Sequence, residues 1–387
     1  MNKVLLIYGD GTQTLPMAQA LDALGYEVHA IVSTKYSYGY GSKYIKKCFV
    51  FQEASKVDAL YHYLLEILKN KDYSVVVPMH DESAECLSKY KDSLHDYTHF
   101  EMPDISTFMK GYDKRALMRL CQENHYPHPR TVFVEGCSLD GIDTGQLKYP
   151  LLIKPNITCG ARGMTRCNNR EELERLFPDV CRKYGPCCLQ TIVKEGGRQV
   201  EVQLFVNDKG ELVQSSVIKK FRWYPVNGGS SSCCVSEYNQ KIVDICYSIL
   251  KDLGWVGFAD FDTIEDPETG ELLILELNPR LPACIRAAFE AGVNWADIIV
   301  SEYLGIEHQV YNEKTGIFLR FLGFEILWFM KSPTRFRAKP NWFKFFGKSI
   351  FYQDMSSENI RPLVLGTIGN IKKLMSSDFR KAKAGVN

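Results

Sequence analysis

The sequence predicts a chain of mixed class, α/β at its start and α+β beyond, and three observations carry that reading. Residues 4–8 form a short apolar run that meets Gly9-Asp10-Gly11, after which a helical pattern through Leu15, Ala18, Leu21 and Leu24 ends at Gly25 and residues 27–32 supply a second apolar run. Strand, helix and strand in that order make a βαβ opening. Residues 257–263 and 272–277 are apolar runs split by Asp-Pro-Glu-Thr-Gly-Glu, whose turn residues make the pair an antiparallel hairpin. Residues 187–212 alternate as a strand, break at Gly196-Gly197 and resume as a second strand closed by Asp208-Lys209-Gly210.

Length and composition bound the rest. A chain of 387 residues with 45% hydrophobic content buries substantial cores and divides into two or three domains. A net charge of +1 gives no electrostatic case for nucleic acid as a partner. Thirteen cysteines without C-x-x-C spacing, including the adjacent pairs Cys187–Cys188 and Cys233–Cys234, read as reduced thiols, which points to a cytoplasmic location. The N-terminal apolar run is too short for a signal peptide, and no stretch reaches the about 20 apolar residues of a spanning helix. The expectation is a cytoplasmic protein, at most peripheral to a membrane.

The elements in order carry the candidate chemistry. Gly-Asp-Gly-Thr-Gln-Thr after the first strand is not a G-x-G-x-x-G fingerprint, which argues against a dinucleotide site. Residues 75–79 form a buried type of strand, and His80, Asp81 and Glu82 follow its carboxyl end, where open α/β sheets place ligands; an acidic helix start reads equally well. Residues 112–130 read as a helix and then, through Pro127 and Pro129, as an extended entry to a strand. In 149–164 a strand ends at Lys154, and Gly160, Arg162 and Gly163 follow in a loop. Lysine is a point charge for phosphate, and glycines let backbone N–H groups approach it. A helix over 169–184 comes next, and the segment 215–237 holds Lys219, Lys220 and Arg222 ahead of Gly-Gly-Ser-Ser-Ser. That segment is either an anion cradle or an exposed hairpin edged with lysines; alternation puts Lys220 and Arg222 on one face. Residues 238–253 form an amphipathic helix stopped by Gly254.

The hairpin is the chemical centre. Period-two alternation points Glu276 and Asn278 to one face, Arg280 continues the row, and Asp260 joins from the partner strand. Two carboxylates and an amide oxygen are a hard, all-oxygen set suited to Mg²⁺, with Mn²⁺ as a substitute. Arg280, always charged, is placed to hold a phosphate oxygen or an anionic intermediate.

Glu-Leu-Asn-Pro-Arg after a hairpin, with an Asp on the preceding strand and a Lys-Pro…Gly-x-x-Gly loop about 120 residues earlier, resembles the ATP-grasp superfamily, a group that includes biotin carboxylase and the synthetase halves of carbamoyl-phosphate synthetase. The resemblance covers residues 1–310. It implies an ATP-grasp fold with a Rossmann-like pre-grasp domain at 1–108, a lid at 109–190, a second grasp subdomain with the metal site at 191–310, and a C-terminal extension at 311–387. It further implies that Lys114 and Lys154 lie near the nucleotide phosphates under the loop of Gly160, Arg162 and Gly163. Gln190, Ile192 and Val193 would then line the adenine linker, and Glu201 would reach ribose or a metal-bound phosphate. Most members have Glu where this chain has Gln190, a departure that bears on nucleotide selectivity. Asp260, Glu276 and Asn278 become the metal ligands, and Arg280, Lys220 and Arg222 the catalytic cations. The activity implied is an ATP- and Mg²⁺-dependent, ADP-forming ligase that activates a carboxylate as an acyl phosphate and joins it to an amine or other nucleophile. A kinase on the same fold and a nucleotide-binding regulatory module are the alternatives. Small-molecule carboxylate and amine partners are expected, with a homodimer open. The sequence carries no biotin-carboxylation partner, amidotransferase domain or second synthetase half, which disfavours carbamoyl phosphate and biotin chemistry. Arg286 is a candidate for the acceptor carboxylate, beside the 228–232 loop.

Residues 317–330 are apolar around Arg320 and Glu325, and 331–348 carry six Lys or Arg and no acidic residue, with Phe336, Trp342, Phe343, Phe345 and Phe346 interleaved. One reading of 317–348 is peripheral contact with a membrane, rings in the headgroup zone and cations on anionic lipid. The other packs the apolar part on the first domain with lysines reaching water; Pro333 and Pro340, which break any long amphipathic helix, favour it.

Overall fold

The computed structural model of the chain describes residues 2–53, 56–145, 147–158, 162–226, 230–355 and 359–375. Gly160, an expected loop glycine, and residues 227–229 lie outside the described residues. Among those described, three sheets organise the chain.

The first sheet is parallel, in the order β3 (Ile45–Val50), β2 (Glu27–Val32), β1 (Lys3–Ile7), β4 (Val75–Pro78). Its central strands are buried almost throughout, because helices such as Thr14–Ala23 and Asp81–Lys89 cover the faces of a parallel sheet. The carboxyl ends of β1 and β4 open into residues 9–13 and His80–Asp81, and these ends meet the rest of the chain. Thr12 donates to the Ala283 carbonyl at 3.4 Å, and Asp81 pairs with Arg280 at 3.0 Å.

The second sheet, β5 (Thr131–Phe133), β8 (Cys187–Thr191), β6 (Leu151–Pro155), β7 (Thr165–Cys167), is antiparallel and carries the helix Arg170–Tyr184 on one face. Leu151, Ile153, Leu173, Phe177 and Leu189 give this layer a core of its own, separate from the main one.

The third sheet runs β13 (Leu272–Asn278), β12 (Gly257–Glu265), β9 (Gln199–Val206), β10 (Leu212–Tyr224), β11 (Ser230–Ser236), β14 (Phe318–Arg320), β15 (Ile350–Tyr352). It is antiparallel except between β14 and β15. The β12–β13 turn closes with Gly270 at φ 72°, its N–H on the Asp266 carbonyl at 2.7 Å. Gly257 opens β12 at φ 87°, and a Cβ there would lie 2.5 Å from the Glu101 carbonyl oxygen, so the close approach to the first domain requires glycine. Helix Gln240–Leu253 ends in Gly254 in the left-handed region, and helix Trp295–Leu304 packs on Thr14–Ala23. One continuous core therefore runs from β1 through β9 and β12 to Trp295.

The described part of the segment 215–237 is a hairpin inside the third sheet rather than an exposed one, and the Gly228-Gly229 part of the expected cradle lies outside the described residues. Most of it belongs to the 13-residue strand β10 and to β11, and Ile218 and Cys234 are buried. Lys220 and Arg222 do not share partners either, because bulges on both sides of Arg222 break the alternation. The apolar C-terminal stretch packs on the third sheet rather than the first domain: helix Leu322–Lys331 lies against β10 and β11. It is the later helix, Arg361–Met375, that reaches the first domain. A Cβ at Gly369 would lie 2.1 Å from the Tyr36 carbonyl oxygen, and Asn370 donates to the Tyr38 hydroxyl at 3.2 Å. No described helix is long and apolar enough to cross a membrane.

Glu325 ties this region down. Fully buried, it takes two bonds from Arg222, both at 2.7 Å, one from Arg320 at 2.9 Å and one from Ser232 at 3.1 Å. Removing one member of such a group leaves the others charged and dry, at a cost of about 3–5 kcal/mol. Glu325→Ala, which strands two guanidinium groups, is expected to lower the urea midpoint by that order of stability; an unchanged midpoint would contradict the anchoring role.

Candidate active site

The register of three neighbouring strands assembles the site. Glu201 on β9 is opposite Asp262 on β12, and Gln203 is opposite Asp260; across β12, Asp262 is opposite Glu276 and Asp260 opposite Asn278 on β13. Residues two apart share a face, so four carboxylates and two amides line one patch. Glu201, Asp260 and Asp262 bring oxygen atoms within 4.8 Å of one another.

Cations hold this patch together. Lys220 reaches across from β10 to Glu201 at 2.6 Å and Asp262 at 2.7 Å. Burial alone would lower the Lys220 ammonium, but Asp262 and Glu201 override it and hold it well above its usual value; Lys220 in turn holds the Asp262 carboxyl below its own, against burial. Asp260 shifts the opposite way to Asp262. Burial, then Glu201 and Asp262, push its carboxyl well above the usual range. Its Oδ2 accepts from Asn278 at 3.3 Å, and its buried Oδ1 has no hydrogen-bond partner among the described residues.

Glu276 faces the lid. Lys114, at the start of helix Lys114–Glu123, pairs with it at 3.1 Å and donates to the Thr158 carbonyl. Lys154, at the end of β6, donates to the Leu275 carbonyl at 3.1 Å and to Gln190 Oε1 at 3.3 Å. Burial draws the Lys154 ammonium below its usual value even with Glu276 opposing it. Gln190 is buried on β8 and donates to Thr131 at 3.0 Å, while Ile192 and Val193 follow it as a half-buried linker. Gly163 turns at φ 75° with the Tyr184 ring where a Cβ would be, and Arg162 precedes it, exposed, on the lid. On the other side Arg280 donates to Asp81 at 3.0 Å and to Asn278 Oδ1 at 3.4 Å.

Asp260, Glu276, Asn278, Glu201, Lys220, Lys114, Lys154, Gln190 and Arg280 therefore converge. Arg222 does not. Its Nε and Nη2 bind Glu325 and its Nη1 binds the Pro340 carbonyl at 2.7 Å, which leaves no nitrogen for the patch; its expected catalytic role is corrected to a structural one. Arg286 is held by Glu290 at 3.0 Å and the Met355 carbonyl at 2.7 Å. Asp262 and Cys284 went unread in the sequence. Asp262 had a signal: it is two residues from Asp260, on the same face, and it is the one opposite Glu276. Cys284, whose thiol meets the Glu201 carboxylate, had none.

A helix-backed lid over an antiparallel sheet with a carboxylate floor is the fold of ATP-grasp proteins. Biotin carboxylase from Campylobacter jejuni, solved as a β-γ-ATP complex, matches with TM-score 0.68 at 14% identity over 81% of this chain and 74% of that one. L-amino acid ligase from Bacillus licheniformis matches with TM-score 0.63 at 15% identity over 80% of this chain and 75% of that one. Residues 142–291 match the family model described as carbamoyl-phosphate synthase L chain, ATP binding domain. In sequence, D-aspartate ligase of Enterococcus faecium (strain Aus0004) is 23% identical over 228 residues, 55% of this chain and 54% of that protein. The chain spans about half, or less, of the length of the curated relatives it matches.

Lys220 is the internal counter-ion of the patch. Lys220→Met leaves Glu201 and Asp262 buried against each other, and a loss of about 3–5 kcal/mol is expected in metal-free denaturation. Millimolar Mg²⁺ should restore part of it by supplying the missing charge. A variant as stable as wild type without metal would refute this account.

Proposed function

We propose that the protein is an ADP-forming, ATP-dependent ligase that activates a small-molecule carboxylate as an acyl phosphate and joins it to an amine. The observation that carries the reading is the row of Asp262, Glu276 and Asn278 meeting Lys114 and Lys154 where the lid joins the floor. Oxygen ligands face lysines there, and a nucleotide triphosphate with its divalent ion needs both.

The residues fit a hard cation. The carboxylates of Glu201, Asp260 and Asp262, clustered within 4.8 Å, with a buried Asp260 oxygen lacking a partner among the described residues, are a ligand set for Mg²⁺, or Mn²⁺ in its place. Asp260, Glu276 and Asn278 would hold it, with Asp262, opposite Glu276, and Glu201 beside them. Bound there, such an ion neutralises phosphate oxygens during transfer.

The remaining work falls to the chain's own groups. Lys114 and Lys154 exchange Glu276 and backbone carbonyls for phosphate oxygens. Arg280, fixed by Asp81, presents a guanidinium to the negative charge that grows as the carboxylate attacks. The second sheet, which has its own core, closes over the reacting groups and excludes water, so that the acyl phosphate meets the amine first. The free cysteines among the described residues fit a reducing compartment, which supports a cytoplasmic location.

The test is release of ADP and phosphate from Mg²⁺-ATP in the presence of carboxylate and amine panels, with the condensed product identified by mass. Glu276→Gln is expected to lower turnover at least about 100-fold while the protein stays folded. Lys154→Ala is expected to weaken ATP binding about 10- to 100-fold. Tight ATP binding without turnover on any panel would favour a binding module, and a phosphorylated hydroxyl product a kinase.

A further inference from the structure

Residues 331–348 divide into an inner and an outer half. The inner half is clamped from within the protein. Arg222 bonds the Pro340 carbonyl at 2.7 Å, Arg320 bonds the carbonyls of Trp342 and Lys344, both at 2.8 Å, and the Tyr352 hydroxyl bonds that of Phe345 at 2.9 Å. Trp342 donates to the Glu325 carbonyl at 3.0 Å and stacks on Phe329, with ring centroids 4.1 Å apart. The outer half is displayed. Phe336 is 71% exposed, Phe343 54%, Phe346 88% and the neighbouring Met330 66%.

These rings are not scattered singly, as ordinary surface apolar residues are. Phe336 and Phe343 each lie edge-on to Phe329, at 5.5 and 5.6 Å, and stack on each other at 6.4 Å, so these three rings form one apolar patch, with exposed Phe346 three residues from Phe343 in the chain. Lys331, Arg337, Lys339, Lys344 and Lys348 are exposed in the same segment, and no Asp or Glu occurs from 326 to 353. A loop pinned by four backbone carbonyls does not fold its rings inward. It pays hydration cost to keep them outside.

We propose that this face docks the protein on an anionic phospholipid surface, Phe336, Phe343 and Phe346 entering the headgroup zone and the cations of the segment meeting lipid phosphates. Aromatic rings bury shallowly at that depth, and each basic residue adds electrostatic attraction to anionic lipid. A second copy of the chain fits poorly, since a two-fold interface would press one set of cations against the same set. Single-stranded nucleic acid fits less well too, because the rings pack on one another instead of offering open faces for bases.

The purified full chain is floated in a sucrose gradient with vesicles of phosphatidylcholine alone or mixed equally with phosphatidylglycerol. Wild type is expected to rise with the anionic vesicles only. Phe336→Ser/Phe343→Ser/Phe346→Ser should stay at the bottom while still melting in one cooperative transition, these side chains being more than half exposed. Each cation near an anionic surface contributes about fivefold, so Lys339→Gln/Lys344→Gln/Lys348→Gln should bind about 100-fold more weakly. Wild type remaining at the bottom, or the serine variant floating like wild type, overturns the proposal. So does a concentration-dependent dimer in sedimentation velocity that the serine variant abolishes without any flotation, or oligonucleotide binding in place of lipid binding.

Discussion

Everything at the centre of this molecule answers to one constraint, that carboxylates on adjacent strands of one sheet face cannot be buried side by side without cations between them. Strand periodicity brings Glu201, Asp260, Asp262 and Glu276 to one patch, and Asp81 comes to its edge from the first domain. Lys220, Lys114, Lys154 and Arg280 reach the patch from β10, from the start of a helix, from the lid strand and from the segment beyond β13. Five carboxylates meet four cations. Burial, then Glu201 and Asp262 beside it, push the Asp260 carboxyl well above the usual range.

The balance also joins the layers. The lid has its own small core, and part of its attachment to the floor is made by the same lysines: Lys154 bonds the Leu275 carbonyl, and Lys114 pairs with Glu276 while its N–H bonds the Asn156 carbonyl at 3.0 Å. On the proposed function, phosphate oxygens compete for those lysines, so loading the nucleotide exchanges contacts between lid and floor for contacts to the ligand. Binding and lid movement are then one event, because both draw on one set of ammonium groups.

The sequence made the frame legible where pattern and structure share a period. The βαβ opening, the hairpin with Asp-Pro-Glu-Thr-Gly-Glu, the Gly254 stop and the buried lysine ending β6 are local signals that tertiary packing does not override. Asp260, Glu276, Asn278 and Lys154 were readable for that reason. Asp262 was not separated from Asp260, because alternation assigns a face while only the register across β12 and β13 assigns an opposite residue. Arg222 was misread because a bulge has no fixed sequence mark, and one extra residue there turns its side chain from the carboxylates to Glu325. Asp81 and Cys284 lie far in sequence from the residues they touch, Arg280 and Glu201, and no periodicity connects them.

That bulge on β10 explains how one strand serves two purposes. Lys220, before it, neutralises Glu201 and Asp262; Arg222, after it, is committed to Glu325 and to the chain at Pro340. The two cations are separated by one residue, yet each ends in a different buried network, and without the bulge they would compete for the same carboxylates. The C-terminal region is thus no appendage. β14 and β15 extend the sheet that carries the carboxylates, and the Arg222–Glu325–Arg320 cluster fixes the helix Leu322–Lys331 against β10 and β11. The network that holds the extension and the one that neutralises the patch are thus both anchored on β10, at Arg222 and at Lys220.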